Sequence, residues 1–340
     1  MTMHGIKRMK LTASIERVEM TAPFRITGYT FTHNELLVVR LESEGLVGHG
    51  EALGVYYHQD TPPSMLRQVE ALRGIIEDGV TRQQLLTLLP PGGARNALDC
   101  ALWDLEAKQQ GKPVWQLAGL NPPEPLLTTF TVGADEPEVM AERARNYTQA
   151  RALKLKLTDD DRNADRVRAV RAARPDAWLM VDANQGFTPE TLASLLPALV
   201  ESRVAVVEQP FPVGKEAWLD DVDSPIPLAA DESVQDHHDL EKLVGRVNVI
   251  NIKLDKCGGL TEALILAKRA QELGFKLMVG NMGGTSWSMG PGFVVGALCM
   301  VVDLDGPLFL VSDRTPAVRY EDGRIWCPEE VWGGAMAVDA

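Results

Sequence analysis

The alternation of apolar and polar residues along this chain changes character near residue 120. Before that point the pattern is mixed. "ELLVVRLESEG" (35–45) and "VGHGEAL" (47–53) read as a strand pair turning at Gly45. Apolar residues at helical spacing then predict helices in "PSMLRQVEALRGIIEDG" (63–79), "TRQQLLTLLP" (81–90) and "ARNALDCALWDLEAKQQG" (94–111), each running up to a helix breaker. Pro122, Pro123 and Pro125 in "LNPPEPL" mark a linker.

Beyond the linker a regular unit repeats: a short apolar run, a polar residue at its end, a loop, an amphipathic helix. The strands read as "LLTTFTV", "ALKLKL", "AWLMVDAN", "VAVVEQP", "IPLAADES", "VNVINIKLD", "KLMVGN" and "CMVVDLD". Helices between them include "NADRVRAVRAARP", "TPETLASLLPALVES", "HHDLEKLVG" and "TEALILAKRAQELG". Strands alternating with helices imply a parallel sheet with crossover connections, and eight of them fit a closed α/β barrel of the TIM type. A doubly wound sheet competes, but no glycine fingerprint follows a first strand.

The residues that end these strands carry candidate chemistry. Lys156 stands 26 positions before Asp182, Asp182 stands 26 before Glu208, Glu208 stands 23 before Asp231, and Asp231 stands 22 before Lys253. Each interval spans one strand and its connection, so all five side chains would emerge at the C-terminal mouth of a barrel, where barrel enzymes assemble their sites. Asp182, Glu208 and Asp231 are hard oxygen donors of the kind Mg²⁺ prefers, and without a cation their mutual repulsion would raise their pKa values. The six histidines show no zinc-type spacing, and His237–His238 read as the exposed start of a helix. In "ALKLKL" the residues Lys154 and Lys156 share one face of a strand, and here that face is the barrel interior. Lys154 beside Lys156 would lower the latter's pKa and make it a usable base. A metal flanked by lysines suits removal of a proton α to a carboxylate.

These motifs resemble the enolase superfamily in its muconate-lactonizing subgroup: K-x-K at Lys154–Lys156, D-A-N at Asp182–Asn184, E-Q-P at Glu208–Pro210, D-E-S at Asp231–Ser233, and "NIKLDKCGGL" around Lys253. The resemblance implies a (β/α)7β barrel over residues 126–318, an N-terminal α+β capping domain over 1–125, and a segment 319–340 returning to complete the cap. It implies one Mg²⁺ per subunit on Asp182, Glu208 and Asp231, Lys156 and Lys253 as bases on opposite faces of the substrate, and Lys154 and Asn184 in support. "VVDLDGP" adds Asp303 and Asp305, two apart and so on one side of their strand, which looks like the dipeptide epimerase signature that receives a substrate ammonium group. The implied reaction is a Mg²⁺-dependent 1,1-proton transfer at the C-terminal residue of a dipeptide, with the L-Ala-D/L-Glu epimerase branch as the best match. Within the subgroup, o-succinylbenzoate synthase and N-acylamino acid racemase are the alternatives. A Schiff-base lysine lyase is the alternative from another class, and a non-catalytic scaffold a third.

Specificity is carried by the cap in this family. Phe31 stands where the acidic-dipeptide branch places an arginine, with Arg25 nearby, and this allows a neutral or apolar second residue. Tyr56, Tyr57 and His58 in "GVYYHQD" read as the second cap loop, forming an aromatic wall with Phe31. "NMGGTSWSMGPG" supplies Gly283, Gly284 and Ser286 for the N-terminal residue, with Trp287 shaping or crowding that pocket.

Composition removes some classes. A net charge of −13 gives no basic face for nucleic acid. The four cysteines are scattered without a CxxC, as in a reducing compartment. "MTMHGIKRMK" is followed by no apolar signal region, and no apolar run is long enough to span a membrane. The expectation is a soluble cytoplasmic homo-oligomer acting on a small-molecule dipeptide.

Overall fold

The computed structural model describes residues 8–26 and 29–335, with the side chains of Arg25 and Ile26 outside the description. The chain opens on a strand that its sequence pattern does not announce, β1 (Lys10–Ile26), antiparallel to β2 (Tyr29–Ser43), which is antiparallel to β3 (Leu46–Ala52). Glu44 and Gly45, both at positive φ, make the tight turn between β2 and β3 that Gly45 predicted. The ladder between β1 and β2 slips between Glu19 and Phe24, and register resumes with Phe24 opposite Phe31.

A helix at Gly93–Gln110 lies on this sheet, burying Ala97, Leu98, Ala101 and Leu105 against Leu37, Val39 and Leu41. Contact is close because β3 presents glycines to it: a Cβ on Gly50 would lie 1.9 Å from the carbonyl oxygen of Ala97. The predicted helices before it form as Pro62–Ala71, Arg73–Glu77 and Arg82–Leu88, the first and last held by capping boxes at Thr61 and Thr81.

After the proline linker, β4 (Leu126–Leu127) leaves the expected first barrel strand and pairs instead with a C-terminal hairpin. The barrel follows as β5 (Thr129–Val132), β6 (Ala152–Lys156), β7 (Trp178–Asp182), β8 (Val204–Glu208), β9 (Leu228–Ala230), β10 (Val249–Lys253), β11 (Lys276–Gly280) and β12 (Val301–Val302). These eight strands lie in chain order and in parallel, as their spacing predicted. Side chains close the seam between β12 and β5: Leu304 N donates to Thr128 Oγ1 at 3.0 Å, and Thr131 N donates to Asp305 Oδ2 at 2.7 Å.

Helices cover β5, β6, β7, β10 and β11, but "HHDLEKLVG" is not the α-helix its pattern suggests. It folds as two 3-10 turns, His237–Asp239 and Glu241–Leu243, where the Asp236 and Asp239 carboxylates accept from the backbone N–H groups of His238 and Gln235 in competition with helical bonding. His237 is not simply solvated either; its Nδ1 lies 2.6 Å from the buried carboxylate of Glu262.

The hairpin β13 (Arg319–Glu321) and β14 (Arg324–Trp326) pairs with β4, and the chain then returns to the cap. Gly333 N donates to Asp104 Oδ1 at 2.9 Å and Trp332 Nε1 to the carbonyl of His49 at 2.9 Å. Among the described residues, no helix is long and apolar enough to cross a membrane. Gly50→Ala forces the cap sheet off its helix. We expect a loss of about 3 kcal/mol, read as a lower denaturant midpoint; an unchanged midpoint would mean that this contact carries no stability.

Candidate active site

Alternate residues of a barrel strand face inward, and here they build two layers. Met180, Val206, Ala229, Val249, Met278 and Val301 form an apolar floor inside the barrel. Two positions on from Met180, Val206, Ala229 and Val301 stand Asp182, Glu208, Asp231 and Asp303. Lys154 is in register with Met180, and Lys156 with Asp182, so β6 roots one lysine in each layer, and both ammonium groups reach the acids of the upper one. Leu153 and Leu155 point outward into the main core. The alternation "ALKLKL" therefore has a buried, charged face.

Every lysine of the site is matched to an acid from another strand. Lys154, 1% exposed, has its Nζ 2.8 Å from Glu208 Oε2, 2.8 Å from Asp303 Oδ2 and 3.1 Å from Asp182 Oδ2. Lys156 Nζ lies 2.6 Å from the same Asp182 oxygen. Across the barrel, Lys253 Nζ is 2.7 Å from Asp231 Oδ2 and Lys256 Nζ 2.6 Å from Asp231 Oδ1. Uncharged donors complete the set. Asn251 Nδ2 donates to Glu208 Oε1 at 2.7 Å, Asn184 N to Asp182 Oδ1 at 2.8 Å, and Thr129 Oγ1 to Asp303 Oδ1 at 2.6 Å.

This pairing corrects two electrostatic expectations. Lys154 does not act on Lys156 as a bare like charge, because Asp182 Oδ2 bridges the two ammonium groups. Nor do all three acids shift upward. Burial pushes hardest against the Asp182 charge, yet Lys156 and Lys154 together hold its pKa down at about 2. Asp231 is likewise lowered: Lys253 and Lys256 outweigh its burial. Only Glu208 follows the simple repulsion argument, pushed up to about 8 by burial and then by Asp182.

The charges do not cancel. The acids of the site are Asp182, Glu208, Asp231, Glu232, Asp303 and Asp305; the bases are Lys154, Lys156, Lys253 and Lys256. With every group ionised, six carboxylates against four ammonium groups would leave two negative charges in a buried space, a surplus that protons on Glu208, Glu232 and Asp305 relieve when no cation is bound. The buried oxygens Asn184 Oδ1 and Glu232 Oε2 make no hydrogen bond, and Glu208 Oε2 meets only the Lys154 ammonium group. Surplus negative charge and undonated hard oxygens fit a divalent cation of the Mg²⁺ type. As they stand, the acids turn toward lysines and not toward a shared point: among the described residues, the one group of ligating side chains within 4.8 Å of one another is Asp236, His237 and His238.

A cavity of about 800 Å³, open mouth included, lies over this layer. Lys154, Lys156, Asn184, Asp231, Lys253, Asp303 and Asp305 line it, and so do the cap residues Phe31 and Tyr56 and the loop residue Gly283. Asp182 and Glu208 lie beneath, fully buried. Gly284, Ser286 and Trp287, all expected at the pocket, are not among its lining residues. Ser286 Oγ is bonded to Asp313 Oδ2 at 2.5 Å and to the backbone of Val318, so it pins a helix start instead of facing substrate. Trp287 stacks on His49 at 4.4 Å and beneath the Arg314 guanidinium at 4.1 Å, away from the cavity lining. The Arg25 side chain lies outside the described residues.

Sequence reasoning missed Lys256, Asn251 and Glu232. Asn251 was within reach, standing two positions before Lys253 on the same inward face. Lys256 follows the strand, and only the one-turn helix Leu254–Cys257 brings it back to Asp231. Period-two counting has no signal for that.

Known proteins agree with this architecture. A family model described as "Enolase C-terminal domain-like" matches residues 139–334, and one described as "Mandelate racemase / muconate lactonizing enzyme, N-terminal domain" matches residues 9–119. The chain is 40% identical to the L-Ala-D/L-Glu epimerase of Escherichia coli (strain K12) over 305 residues, 89% of this chain and 95% of that one. It is 37% identical to an N-acetyl-D-glutamate racemase of a Pseudoalteromonas species, over 88% of this chain and 96% of that one. A solved enolase family member from Agrobacterium tumefaciens, described as having homology to dipeptide epimerases and bound sodium and L-Ala-L-Glu, superposes with a TM-score of 0.93. It is 38% identical and covers 96% of this chain and 100% of its own. The dipeptide epimerase of Enterococcus faecalis V583, solved with Mg and L-Leu-L-Tyr, gives 0.83 at 30% identity, over 93% and 94% of the chains.

The surplus acid has a pH signature. Glu208 is raised from 4.5 to about 8, Glu232 from 4.5 to about 7, and Asp305 from 3.8 to about 7, burial being the main cause in each. Folded protein therefore binds more protons than unfolded protein between those values, and its stability falls as pH rises. In chelator, the thermal midpoint should drop between about pH 4.5 and 8; a midpoint that climbs throughout contradicts the charge balance.

Proposed function

This chain belongs to the enolase superfamily, in its muconate-lactonizing subgroup, and is an isomerase of the racemase and epimerase type; from that premise we propose that it epimerises dipeptides at the α-carbon of their C-terminal residue. One observation carries the reading. Lys156 ends the second and Lys253 the sixth of eight barrel strands, half the barrel apart, with the cavity between them.

Inversion at carbon needs a proton taken from one face and returned on the other. One lysine, as free amine, takes the α-proton and becomes ammonium. The electron pair left on carbon spreads into the substrate's carboxylate as an enediolate, and the opposite lysine, as ammonium, gives its proton to the other face. The two lysines end with exchanged protonation, ready for the reverse reaction. Mg²⁺ held by Asp182, Glu208 and Asp231 would supply positive charge against the charge growing on that carboxylate, and would relieve the lysines as counter-charges of those acids. Lys154 supports the site from below, neutralising Glu208 and Asp303 from the floor layer. Asn184 orients Asp182 through its backbone N–H.

Asp303 and Asp305 set the other end of the substrate. Asp303 is lowered because Lys154 and Thr129 outweigh its burial. Asp305 is pushed up to about 7, by burial and then by Asp303, and among the described residues no cation pairs with it. A substrate ammonium group beside Asp305 would supply one, which favours a free N-terminus. The likeness to an N-acetyl-D-glutamate racemase keeps an acylated amino acid as the second reading. A Schiff-base role for either lysine would leave the surplus acids unexplained.

Lys156→Ala and Lys253→Ala should each reduce epimerisation by about a thousandfold or more. Each single variant should still exchange α-hydrogen of one epimer with D₂O, the two variants favouring opposite epimers. Chelator should abolish exchange and Mg²⁺ restore it. Wild-type rates in both variants would remove the assignment, and faster turnover of N-acyl amino acids than of dipeptides would favour the second reading.

A further inference from the structure

We propose that Gln209 is a positioning residue of the cation site: its side-chain amide holds Asp231 in place beside Glu208, and so sets the affinity for Mg²⁺ and the preference for it over a larger ion. This rests on the metal reading above and deepens it. Gln209 and Ser233 belong to the E-Q-P and D-E-S motifs, and neither has a part in the proton transfer.

Strand pairing stops short of Asp231. β8 and β9 are in register as Val207 with Leu228 and Glu208 with Ala229, and β9 ends at Ala230. Asp182 and Glu208, by contrast, close their strands in register with each other. An acid one residue beyond the end of its strand needs another holder, and the Gln209 side chain supplies it. Its Oε1 accepts from Asp231 N at 2.9 Å and from Ser233 N at 3.2 Å. Its Nε2 donates to the Phe211 carbonyl at 2.8 Å and to Ser233 Oγ at 2.9 Å. Ser233 Oγ in turn donates to Glu216 Oε1 at 2.9 Å, so one chain of hydrogen bonds joins the loops after β8 and β9.

The amide is fully used. Gln209 is 5% exposed, and both donors and both acceptor sites of its side chain have partners. Its backbone sits at φ +37°, in the left-handed region that glycine enters at least cost. Glycine there would relax the backbone and lose the grip. The bend also lets Gln209 N donate to the Ala229 carbonyl at 2.8 Å while its own carbonyl accepts from Gln185 N at 2.9 Å. One residue thus spans the ends of β7, β8 and β9.

The grip matters because the other holds on Asp231 are ionic. Its carboxylate meets Lys253 and Lys256. Lys253 has to gain and lose a proton in each cycle, so it cannot fix that acid throughout. The bonds from Gln209 reach the backbone and do not depend on the charge of any lysine. Mg²⁺ demands a near-octahedral set of close ligands, whereas Ca²⁺ accepts longer and less regular ones. Loosening Asp231 therefore costs Mg²⁺ more than Ca²⁺.

The test is calorimetric titration of the full chain with MgCl₂ and, separately, with CaCl₂, for wild type, Gln209→Leu, Gln209→Ala and Ser233→Ala. Both Gln209 variants should bind Mg²⁺ about tenfold or more weakly. Their Ca²⁺ affinity should stay within about threefold of wild type. Ser233→Ala leaves the hold on Asp231 N and should keep Mg²⁺ affinity within about threefold. The alanine at 209 leaves room for water and carries the test where the leucine variant does not fold. Unchanged Mg²⁺ binding in the Gln209 variants, Mg²⁺ and Ca²⁺ falling by the same factor, or an equal loss in Ser233→Ala each overturns this inference and leaves the metal reading standing. A wild type that binds no Mg²⁺ overturns both.

Discussion

A buried ammonium group costs several kcal/mol unless an acid meets it at close range, and breaking such a pair costs about 3–5 kcal/mol. That constraint organises the centre of this molecule. Lys154 reaches acids at the ends of the third and fourth barrel strands and just beyond the eighth, so a single side chain ties distant parts of the barrel together. The acids near the eighth strand in turn close the seam, through Thr129 and Thr131 on the first. Barrel closure and site assembly are thus one network. The same network holds two more carboxyl groups than ammonium groups, and on the proposed reading a cation and a substrate ammonium group would match that surplus.

The cap is anchored with comparable care. Glu51, at the end of β3, accepts from Thr285 N at 2.7 Å, Ser288 Oγ at 2.8 Å and Arg314 Nη2 at 2.7 Å, so the sheet is bolted to the loop and helix after the seventh barrel strand. Gly54 N donates to Asp255 Oδ1 at 2.9 Å, just beyond Lys253, which fixes the origin of the loop carrying Tyr56. Ser286 and Trp287, which look like pocket residues in sequence, serve this anchorage.

Much of this was legible in the chain because strand geometry writes itself into sequence. Polar residues at intervals of one strand plus one connection could only gather at one end of a barrel, and Asp182, Glu208, Asp231, Lys156 and Lys253 do gather there. The K-x-K alternation named its own face once the barrel was assumed. What was illegible follows equally physical lines. β1 is a half-exposed strand with little periodicity, held mainly by pairing to β2. The residues 237–245 carry helical spacing, but aspartate carboxylates at 236 and 239 take backbone N–H groups there and the chain turns in two 3-10 steps. Lys256 depends on a single turn after a strand. The bridging of Lys154 and Lys156 by Asp182 arises from three strands at once, and no local pattern encodes it.

The central claim is that two lysines on opposite walls address one carbon, and a crystal structure with Mg²⁺ and a bound dipeptide addresses it most directly. The account predicts Lys156 Nζ and Lys253 Nζ each within about 3.5 Å of the C-terminal residue's α-carbon, on opposite faces. Both amines on one face of that carbon, or either still seated on its carboxylate and out of reach, would contradict it.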